Sequence, residues 1–323
     1  MKEKIRYKAL ELSKGRKLKI VEKELSTDKP YAKMLYSGIC GTDKHALQGK
    51  LNIKLPIVLG HENVGIVNGK RVTWPTILPC GKCSNCLAGM ENICKEDNLF
   101  GITTRNPMAG GFAEYTPLPK NIQLFEIPDE IDDDVAVLIE TMASTKALRR
   151  IDLKGKKLLI IGSGPIGMLS AIHAKHLGVK TMGITGYKEQ VDLIKEIIDE
   201  FYEKNIPIEK LKNEYDIVMD AGGNVGSLDY SVRAVKPRGT VIESGCMTKD
   251  FFFDISKLVK KELVMITQLG YVSKDFKWAI EIVRKNKDIL KKVITHKFKL
   301  SEYKKAVDVL ENQKHGKVMF SLK

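Results

Sequence analysis

The stretch KKLLIIGSGPIGMLSAIHAKHL, residues 156–177, decides the fold of the middle of the chain. Its apolar start, Leu158–Ile161, predicts a buried strand, and the pattern from Ile166 to Leu177 predicts a helix. The glycines between them permit a tight turn and let the backbone approach a pyrophosphate at the positive end of the helix. A strand before and a helix after favour a dinucleotide site over a simple tight turn without a ligand. The loop residues expected at that site are Gly162, Gly164, Pro165, Ile166 and Gly167.

Strands and helices continue to alternate after this loop. Apolar runs predict strands over Thr181–Thr185, Asp216–Asp220 and Thr240–Ser244, and apolar residues at helical spacing predict a helix over Lys188–Tyr202. Such alternation implies a parallel sheet with helices on both faces. We therefore predict a doubly wound α/β domain over residues 146–272.

The end of the second predicted strand bears on which dinucleotide binds. An acidic residue about 20 positions after the glycines accepts the ribose hydroxyls of NAD, but Thr185 and Gly186 occupy that place here. Thr185, Tyr187 and Lys188 offer hydroxyls and a cation to a 2′-phosphate. We therefore predict a preference for NADP or use of both cofactors. The alternative for Lys188 is a solvated residue at the start of a helix.

The segments before and after this domain have different residue patterns and predict different secondary structure. The first 145 residues contain short β-branched runs separated by turn residues, which predict many short strands. After Gly270 the pattern predicts helices over Phe276–Lys285 and Tyr303–Glu311 and a strand over Lys317–Leu322. Residues 273–323 are too few for a separate domain, so we expect them to pack back on one of the others.

The composition is that of a globular protein and restricts its partners. The 323 residues are 43% hydrophobic and 29% charged, with a formal net charge of +14. The lysines are spread over the whole length, which is typical of a solvated surface and does not favour nucleic-acid binding. No apolar run approaches the roughly 18 residues of a membrane span. We expect a cytoplasmic protein, in which crowded cysteines indicate metal ligands before disulfides.

Four cysteines lie close together with the spacing C-x2-C-x2-C-x7-C. Thiolates this close can surround one Zn²⁺ tetrahedrally and leave no position for a substrate, as in structural sites. The last spacing differs from that of the bacterial iron–sulfur run, and four unliganded thiols are the remaining alternative. Alone, the motif could equally belong to a nucleic-acid-binding zinc ribbon. The residues are Cys80, Cys83, Cys86 and Cys94.

A second set of metal-binding residue types precedes these four. Cys40 stands in GICGTDKH, and His61 and Glu62 stand in GHENVG. Each alone would most often be a packed core residue. Together, a thiolate, an imidazole and a carboxylate make a shell for a catalytic Zn²⁺ that leaves a fourth position open. Such a metal would polarise a carbonyl or lower the pKa of a bound alcohol.

Five motifs in order make the chain resemble the zinc-dependent medium-chain alcohol and polyol dehydrogenases. They are GICGTDKH, GHENVG, the four cysteines, GGFAEY at Gly110–Tyr115 and GSGPIG at Gly162–Gly167. The match lies near the sorbitol and archaeal glucose 1-dehydrogenase branches. It implies a GroES-like β-rich catalytic domain over residues 1–145, to which residues 273–323 return, and a Rossmann domain over 146–272. It also implies a homo-oligomer, either a dimer or a tetramer, that acts on a small molecule.

The resemblance implies a catalytic zinc held by Cys40 and His61, with Glu62 as a direct or exchangeable ligand. In the alcohol dehydrogenases a cysteine before the cofactor domain completes the shell, whereas the segment LIETMAST offers Glu140. This departure resembles the sorbitol and aldose dehydrogenases. We therefore expect a sugar or polyol substrate, with a simple alcohol as the alternative. Glu114, in GGFAEY, would bond a sugar hydroxyl or serve the structure.

Three residues after Cys40 are expected at the reaction itself. By the resemblance, Thr42 would hydrogen-bond the reacting hydroxyl and pass on its proton, and His45 would hand that proton to solvent. Asp43 would orient His61 through the other ring nitrogen. The alternatives are a helix cap for Thr42 and Asp43 and a plain surface histidine for His45.

Two other classes stay open at this point. A zinc-stabilised nucleic-acid-binding protein would use the four cysteines and the net charge, but it leaves Cys40, His61 and the glycine loop unexplained. A zinc-free quinone reductase of the same superfamily would lack both metal sites. Counting metal separates them: two zinc ions per chain indicate the dehydrogenase, one a structural site only, and none the reductase.

Overall fold

The computed structural model describes residues 3–96, 98–102, 108–245 and 252–323. Within these ranges the strands are β1 (Lys4–Leu12), β2 (Leu18–Ser26), β3 (Tyr31–Ile39), β4 (Ile57–Val58), β5 (Glu62–Val67), β6 (Lys70–Thr73), β7 (Tyr115–Pro117), β8 (Phe125–Glu126), β9 (Lys157–Ile161), β10 (Thr181–Gly186), β11 (Glu200–Glu203), β12 (Tyr215–Asp220), β13 (Val235–Glu243), β14 (Val264–Thr267), β15 (Ile294–Lys299) and β16 (Lys317–Ser321). The α-helices are α1 (Gly41–Leu47), α2 (Ser84–Leu87), α3 (Asp133–Ala136), α4 (Leu138–Ala143), α5 (Pro165–His176), α6 (Lys188–Val191), α7 (Val225–Ala234), α8 (Ser256–Val259), α9 (Asp275–Lys285), α10 (Lys287–Val293) and α11 (Tyr303–Asn312).

The chain divides into two compact units. The first comprises Met1–Ala143, Gly270–Gln313 and Lys317–Lys323, and the second comprises Ser144–Leu269 and Lys314–Gly316. The boundaries fall within three residues of the limits drawn from the sequence. The three residues 314–316 were not singled out by any sequence pattern, yet they lie with the second unit.

The first unit is built on two β-sheets. A seven-stranded sheet has the order β15-β16-β3-β5-β6-β8, with β7 also paired to β3, and a three-stranded sheet has the order β2-β1-β4. Apolar side chains from both sheets form one core that includes Leu10, Met34, Trp74, Phe112 and Phe320. The many short strands expected of this part of the chain are present.

Antiparallel pairing of β3 with β5 positions the first candidate site. Gly38 of β3 lies opposite Glu62 of β5, so Cys40, just beyond β3, and His61, just before β5, meet at the same end of the strand pair. A Cβ at Gly38 would lie only 1.9 Å from Glu62 Oε2. Glycine is therefore required on β3 where the Glu62 side chain passes.

The second unit is a six-stranded parallel sheet with the order β11-β10-β9-β12-β13-β14. The stretch at residues 156–177 forms β9, the glycine loop and α5, as its pattern predicts. Alternating strands and helices confirm a doubly wound parallel sheet. Among the described residues, no helix combines the length and the apolarity needed to cross a membrane.

One predicted helix is wrong. Apolar spacing predicted a continuous helix over Lys188–Tyr202, but the structure has the single turn α6, a short 3-10 helix and then β11. The strand β11 pairs in parallel with β10, and the Asp199 carboxylate accepts a hydrogen bond from the Met182 backbone at 2.7 Å. An edge of the sheet gives the backbone of this segment a partner outside itself, which overrides the local helical spacing.

Candidate active site

Cys40, His61 and Glu62 lie together in the first unit. One ligand atom of each lies within 4.8 Å of the others. His61 and Glu62 are 4% and 0% exposed, and Cys40 is half-buried. A thiolate, an imidazole nitrogen and a carboxylate oxygen at these separations are a donor set that suits Zn²⁺. The structure therefore brings together three of the four residues expected at the catalytic metal.

Asp43 connects two of these residues. Its buried carboxylate accepts a hydrogen bond from the Cys40 backbone N–H at 2.9 Å through Oδ2, and Oδ1 lies 3.6 Å from His61 Nδ1. Burial lowers the pKa of His61, but the charge of Asp43 and a bond to Cys40 outweigh burial and raise that pKa well above its usual range. Because Nδ1 faces Asp43, Nε2 is the ring nitrogen left for a metal.

Thr42 and His45 lie on α1, which begins directly after Cys40. Thr42 Oγ1 is 3.6 Å from Cys40 Sγ, at the edge of the donor set. His45 is half-buried, and its Nδ1 has no hydrogen-bond partner among the described atoms. Burial, followed by the charges of Lys50 and Lys44, lowers the pKa of His45. His45 is therefore not the fully exposed histidine of the alternative interpretation.

Lys317 neutralises Glu62 inside the protein. Its Nζ lies 2.5 Å from Oε1 and 2.7 Å from Oε2 of Glu62, and the two residues are 2% and 0% exposed. Thr141 donates a third hydrogen bond to Oε1 at 3.0 Å. Although burial lowers the pKa of Lys317, the charges of Glu62 and Cys40 raise it overall. No sequence pattern predicted a role for Lys317, whose one local signal is a lysine at the start of the apolar strand KVMF.

Glu140, the fourth expected ligand, has hydrogen-bond partners of its own. Its Oε1 accepts bonds from Tyr271 Oη at 2.7 Å and from Thr76 Oγ1 at 3.0 Å. It falls outside the 4.8 Å group in the described part of the chain. Burial and the charge of Glu62 raise the pKa of Glu140, whereas the charge of His61 lowers it. The Glu140 carboxylate is therefore close enough to interact electrostatically with both residues. Its hydrogen-bond donors, Tyr271 and Thr76, were not predicted.

Glu114 serves a backbone contact. Its Oε2 accepts a hydrogen bond from the Lys8 backbone N–H at 2.7 Å, and its own carbonyl accepts one from the Met34 backbone at 2.9 Å. These bonds link β1 and β3 through the segment before β7. They support the structural alternative for Glu114, and a contact with substrate stays a prediction.

The four-cysteine lobe, residues 80–94, also gathers its sulfur atoms. All four lie within 4.8 Å of one another, and Cys80 Sγ is 4.0 Å from Cys86 Sγ. Zn–S bonds of about 2.3 Å in a tetrahedron require sulfur atoms slightly under 4 Å apart. The five described cysteines carry free thiols. The lobe therefore fits a closed, all-thiolate metal site.

The glycine loop leaves room at the start of α5. Gly162 has a φ of +105°, and a Cβ on Gly167 would lie 1.9 Å from the Gly162 carbonyl oxygen. A Cβ on Gly164, in contrast, would meet no atom within 4 Å. Pro165 and Ile166 form the first turn of α5, whose positive end faces this open space. The loop therefore fits a pyrophosphate.

The three residues expected at the adenosine ribose differ in their burial and in their hydrogen-bond or ion-pair partners. Thr185 is 3% exposed, and its carbonyl accepts a bond from the Gly162 backbone at 3.0 Å. The Tyr187 backbone N–H donates a hydrogen bond to Ser163 Oγ at 2.9 Å, which places the Tyr187 backbone beside the glycine loop. Lys188 is exposed and pairs with Asp192 at 2.6 Å. Lys188, the one charged residue among the three predicted phosphate ligands, thus already has a carboxylate partner.

Asp220 ends β12 on the neighbouring strand, opposite Glu243 on β13. It is buried, and its Oδ1 accepts a bond from the Gly222 backbone at 2.7 Å. Burial and the charge of Asp220 raise the pKa of Glu243 to about 8. A hydrogen bond from the Gly222 backbone to the Asp220 carboxylate therefore holds the turn after β12.

Two family models match the chain. The alcohol dehydrogenase GroES-like domain covers residues 29–129, and the glucose dehydrogenase C-terminus covers residues 135–320. The second alone spans more than half of the chain. These matches confirm the GroES-like catalytic domain beside the Rossmann-type sheet.

Individual proteins that are similar to this chain are dehydrogenases too, in agreement with the two family models. The chain is 30% identical over 315 residues to a sorbitol dehydrogenase of Halalkalibacterium halodurans, covering 90% of each chain. It is 28% identical over 313 residues to an L-threonine 3-dehydrogenase of Marinomonas sp., covering 89% of this chain and 90% of that one. A zinc-binding dehydrogenase of Sinorhizobium meliloti 1021, solved with NADP, superposes with a TM-score of 0.87 at 25% identity, covering 98% of this chain and 99% of that one. Fold, motifs and these matches together show that the chain belongs to the zinc-dependent medium-chain alcohol and polyol dehydrogenase family.

Proposed function

We propose that this chain is a zinc-dependent dehydrogenase that transfers hydride between a CH–OH group of a sugar or polyol and NAD(P). The proposal is carried by the buried donor set of Cys40, His61 and Glu62 in a chain whose second unit has a glycine-loop dinucleotide fold. A nucleic-acid-binding zinc protein would need neither feature.

Cys40 and His61 would hold the catalytic zinc, with Glu62 or Glu140 as the oxygen ligand. Bound there with one position open, Zn²⁺ would act as a Lewis acid on the substrate oxygen. Both oxygens of Glu62 contact Lys317, so a metal bound there would share the carboxylate with that ammonium group. The four-cysteine lobe would hold a second, structural zinc.

The proton of the substrate hydroxyl would leave through α1. Thr42 lies beside Cys40 and would accept the hydrogen bond of the reacting hydroxyl. His45 lies one turn further along the helix and would take up that proton; burial and the charges of Lys50 and Lys44 lower the pKa of its imidazole, which favours release of the proton to solvent. Asp43 would act as a positioning residue that fixes the ring of His61.

The substrate class rests on the oxygen ligands and on the relatives. A sugar or polyol is favoured by the carboxylates at Glu62 and Glu140, by the sorbitol dehydrogenase relative and by the glucose dehydrogenase model. A 3-hydroxy amino acid is the second candidate, because L-threonine 3-dehydrogenases match over about the same length. A simple alcohol is the third.

Metal analysis together with a substrate panel tests the proposal. We expect two zinc ions per chain, and the highest kcat/KM for a sugar or polyol among glucose, sorbitol, L-threonine and ethanol, each assayed with NADP and NAD. His61→Ala should retain only the zinc of the lobe and lose turnover, while His176→Ala, an exposed histidine on α5, should match the wild type. One zinc ion per wild-type chain, or full turnover by His61→Ala, would refute the proposal.

We also propose a cytoplasmic homo-oligomer, assembled through the edge of the second unit. The strand β14 ends the parallel sheet, and Val264 on it is 51% exposed. Phe252 and Leu269 nearby in sequence are 89% and 64% exposed. Within the described ranges β14 has no strand on its outer side, and such an edge with apolar side chains suits pairing with the same strand of a second copy. Val264→Lys should convert a dimer into a monomer in light scattering; an unchanged mass would exclude this edge as the interface.

A further inference from the structure

An unmatched positive cluster surrounds Tyr187 at the carboxyl end of β10. Lys204 Nζ lies 3.0 Å from Tyr187 Oη, and Lys314 Nζ lies 4.1 Å from the centre of the ring. Both lysines are exposed, and bonds to them lower the pKa of the Tyr187 phenol. Two ammonium groups therefore meet at one aromatic side chain, next to the place where an acid would stand in an NAD site.

These lysines have no carboxylate partners in the described ranges. Neither Lys204 nor Lys314 takes part in an ion pair between described residues, whereas the neighbouring Lys188 pairs with Asp192. Like charges held close to one another repel, so a local cluster of this kind is stabilised when an anion binds. The anion would gain two charge-assisted contacts and a phenolic hydrogen bond.

The backbone around Lys314 belongs to the second unit and is held there by hydrogen bonds. Residues 314–316 belong to that unit although their neighbours on both sides do not. The His315 carbonyl accepts a bond from Gln190 Nε2 at 2.7 Å, and Gln190 Oε1 accepts one from Ser163 Oγ at 2.7 Å. Ser163 lies within the glycine loop, so the same chain of hydrogen bonds that fixes the pyrophosphate loop also fixes the backbone next to Lys314.

We propose that Lys204, Lys314 and the Tyr187 hydroxyl form the binding site for the 2′-phosphate of NADP. This inference rests on the proposed dinucleotide function and assigns the phosphate to residues that the sequence pattern did not indicate. Lys188, the lysine nearest in sequence, pairs with Asp192, and its contact with the phosphate stays a prediction. Thr185, at the end of β10, is uncharged and buried.

Direct binding of nucleotide fragments to the full chain tests the assignment. The probes are adenosine 2′,5′-bisphosphate and 5′-AMP, titrated by calorimetry, because they differ only in the 2′-phosphate. We expect the wild type to prefer the bisphosphate. Lys204→Met and Lys314→Met should each weaken bisphosphate binding about tenfold, the worth of one exposed charge-assisted bond, and leave the affinity for 5′-AMP unchanged. Lys204→Arg and Lys314→Arg should keep the preference.

A control separates this site from a general loss of charge. Lys180→Met removes an exposed lysine at the opposite end of β10 and should bind both fragments like the wild type. A wild type that binds both fragments equally, or Met variants that weaken both alike, would overturn the assignment and leave the dehydrogenase proposal intact. A wild type that binds neither fragment, nor NAD(P) itself, would overturn both.

Discussion

The two cysteine-containing sites of the first unit differ in what holds their ligands in place. The four-cysteine lobe has almost no core: α2 buries no residue, and Leu87 is 76% exposed. The site at Cys40 lies inside the protein, where Asp43 and Lys317 bond its members directly. One set of ligands is gathered by a short loop, and the other is supported by the whole sheet.

If both sites bind zinc as proposed, this difference would give the two metals separate uses. A metal in the lobe would replace the apolar packing that the loop lacks and so contribute to folding. At Cys40 the ligands are positioned beforehand by buried hydrogen bonds, so a metal would add chemistry to a structure that already exists. Variants at the two sites should therefore change different properties of the protein.

The largest effect is expected in the lobe. Structural zinc sites in peptides contribute about 10–16 kcal/mol of binding free energy, and Cys86→Ser removes one of four ligands. We expect the lobe to lose its zinc and to be cut rapidly by proteases within residues 80–96. Cys40→Ser, the matched change at the buried site, should lose zinc without new cleavage. Equal protease resistance of the two variants would break the comparison.

Removing Lys317 should have the next largest effect. Lys317→Met leaves Glu62 buried without its cation, which costs about 3–5 kcal/mol for a broken buried pair. Urea unfolding measures the loss. Lys323→Met, which breaks a partly exposed pair and leaves Asp133 paired with Arg71, should cost at most about 1 kcal/mol. If both variants unfolded at the same urea concentration, the buried site would not depend on its ion pair.

Asp43→Asn should weaken metal binding at one site only. Loss of the partner of a metal-binding histidine typically reduces metal affinity or activity about 10–100-fold. Competition with a chelator should show faster loss of one zinc ion per chain, and the zinc of the lobe is the internal control. Unchanged affinity at the Cys40 site would mean that Asp43 serves only as the cap of α1.

The smallest effect is expected at Thr76. Thr76→Val removes the hydroxyl that Glu140 Oε1 and the His61 carbonyl share, while Tyr271 continues to donate to Glu140, so the free energy of unfolding should fall by about 1 kcal/mol. Thr73→Val is the matched control, because the Thr73 hydroxyl is buried and has no partner among the described atoms. That change should be neutral or stabilising. The opposite order in thermal unfolding would contradict the hydrogen-bond assignment.

Local patterns predicted the parts of each site that lie in one stretch of sequence. The cysteine spacing, GICGTDKH and the glycine loop each combine residue type with position, and the structure brings their residues together. Lys317 lies 255 residues from Glu62, and Tyr271 lies 131 residues from Glu140. Nothing local marks such partners, because their roles arise only when distant strands and helices pack.

The elements of the fold were likewise predictable where local residues determine them and not where distant partners do. The order β9, glycine loop, α5 was predictable because each element is determined by its own residues. The strand β11 was not, because its hydrogen-bond partner lies on β10 rather than within the segment. Lys204 and Lys314 were missed for the same reason, since they meet Tyr187 from segments 17 and more than 100 residues away.

The place of β16 in the sheet sets an order for synthesis. Val318 pairs with Ile39, which is 279 residues earlier (318 minus 39), and β16 lies between β15 and β3. The ribosome therefore releases all of residues 144–269 before β3 can find this neighbour. The parallel-sheet unit can fold during translation, whereas the β-rich unit must wait with an open strand edge, and a chaperone that covers that edge would benefit this unit most.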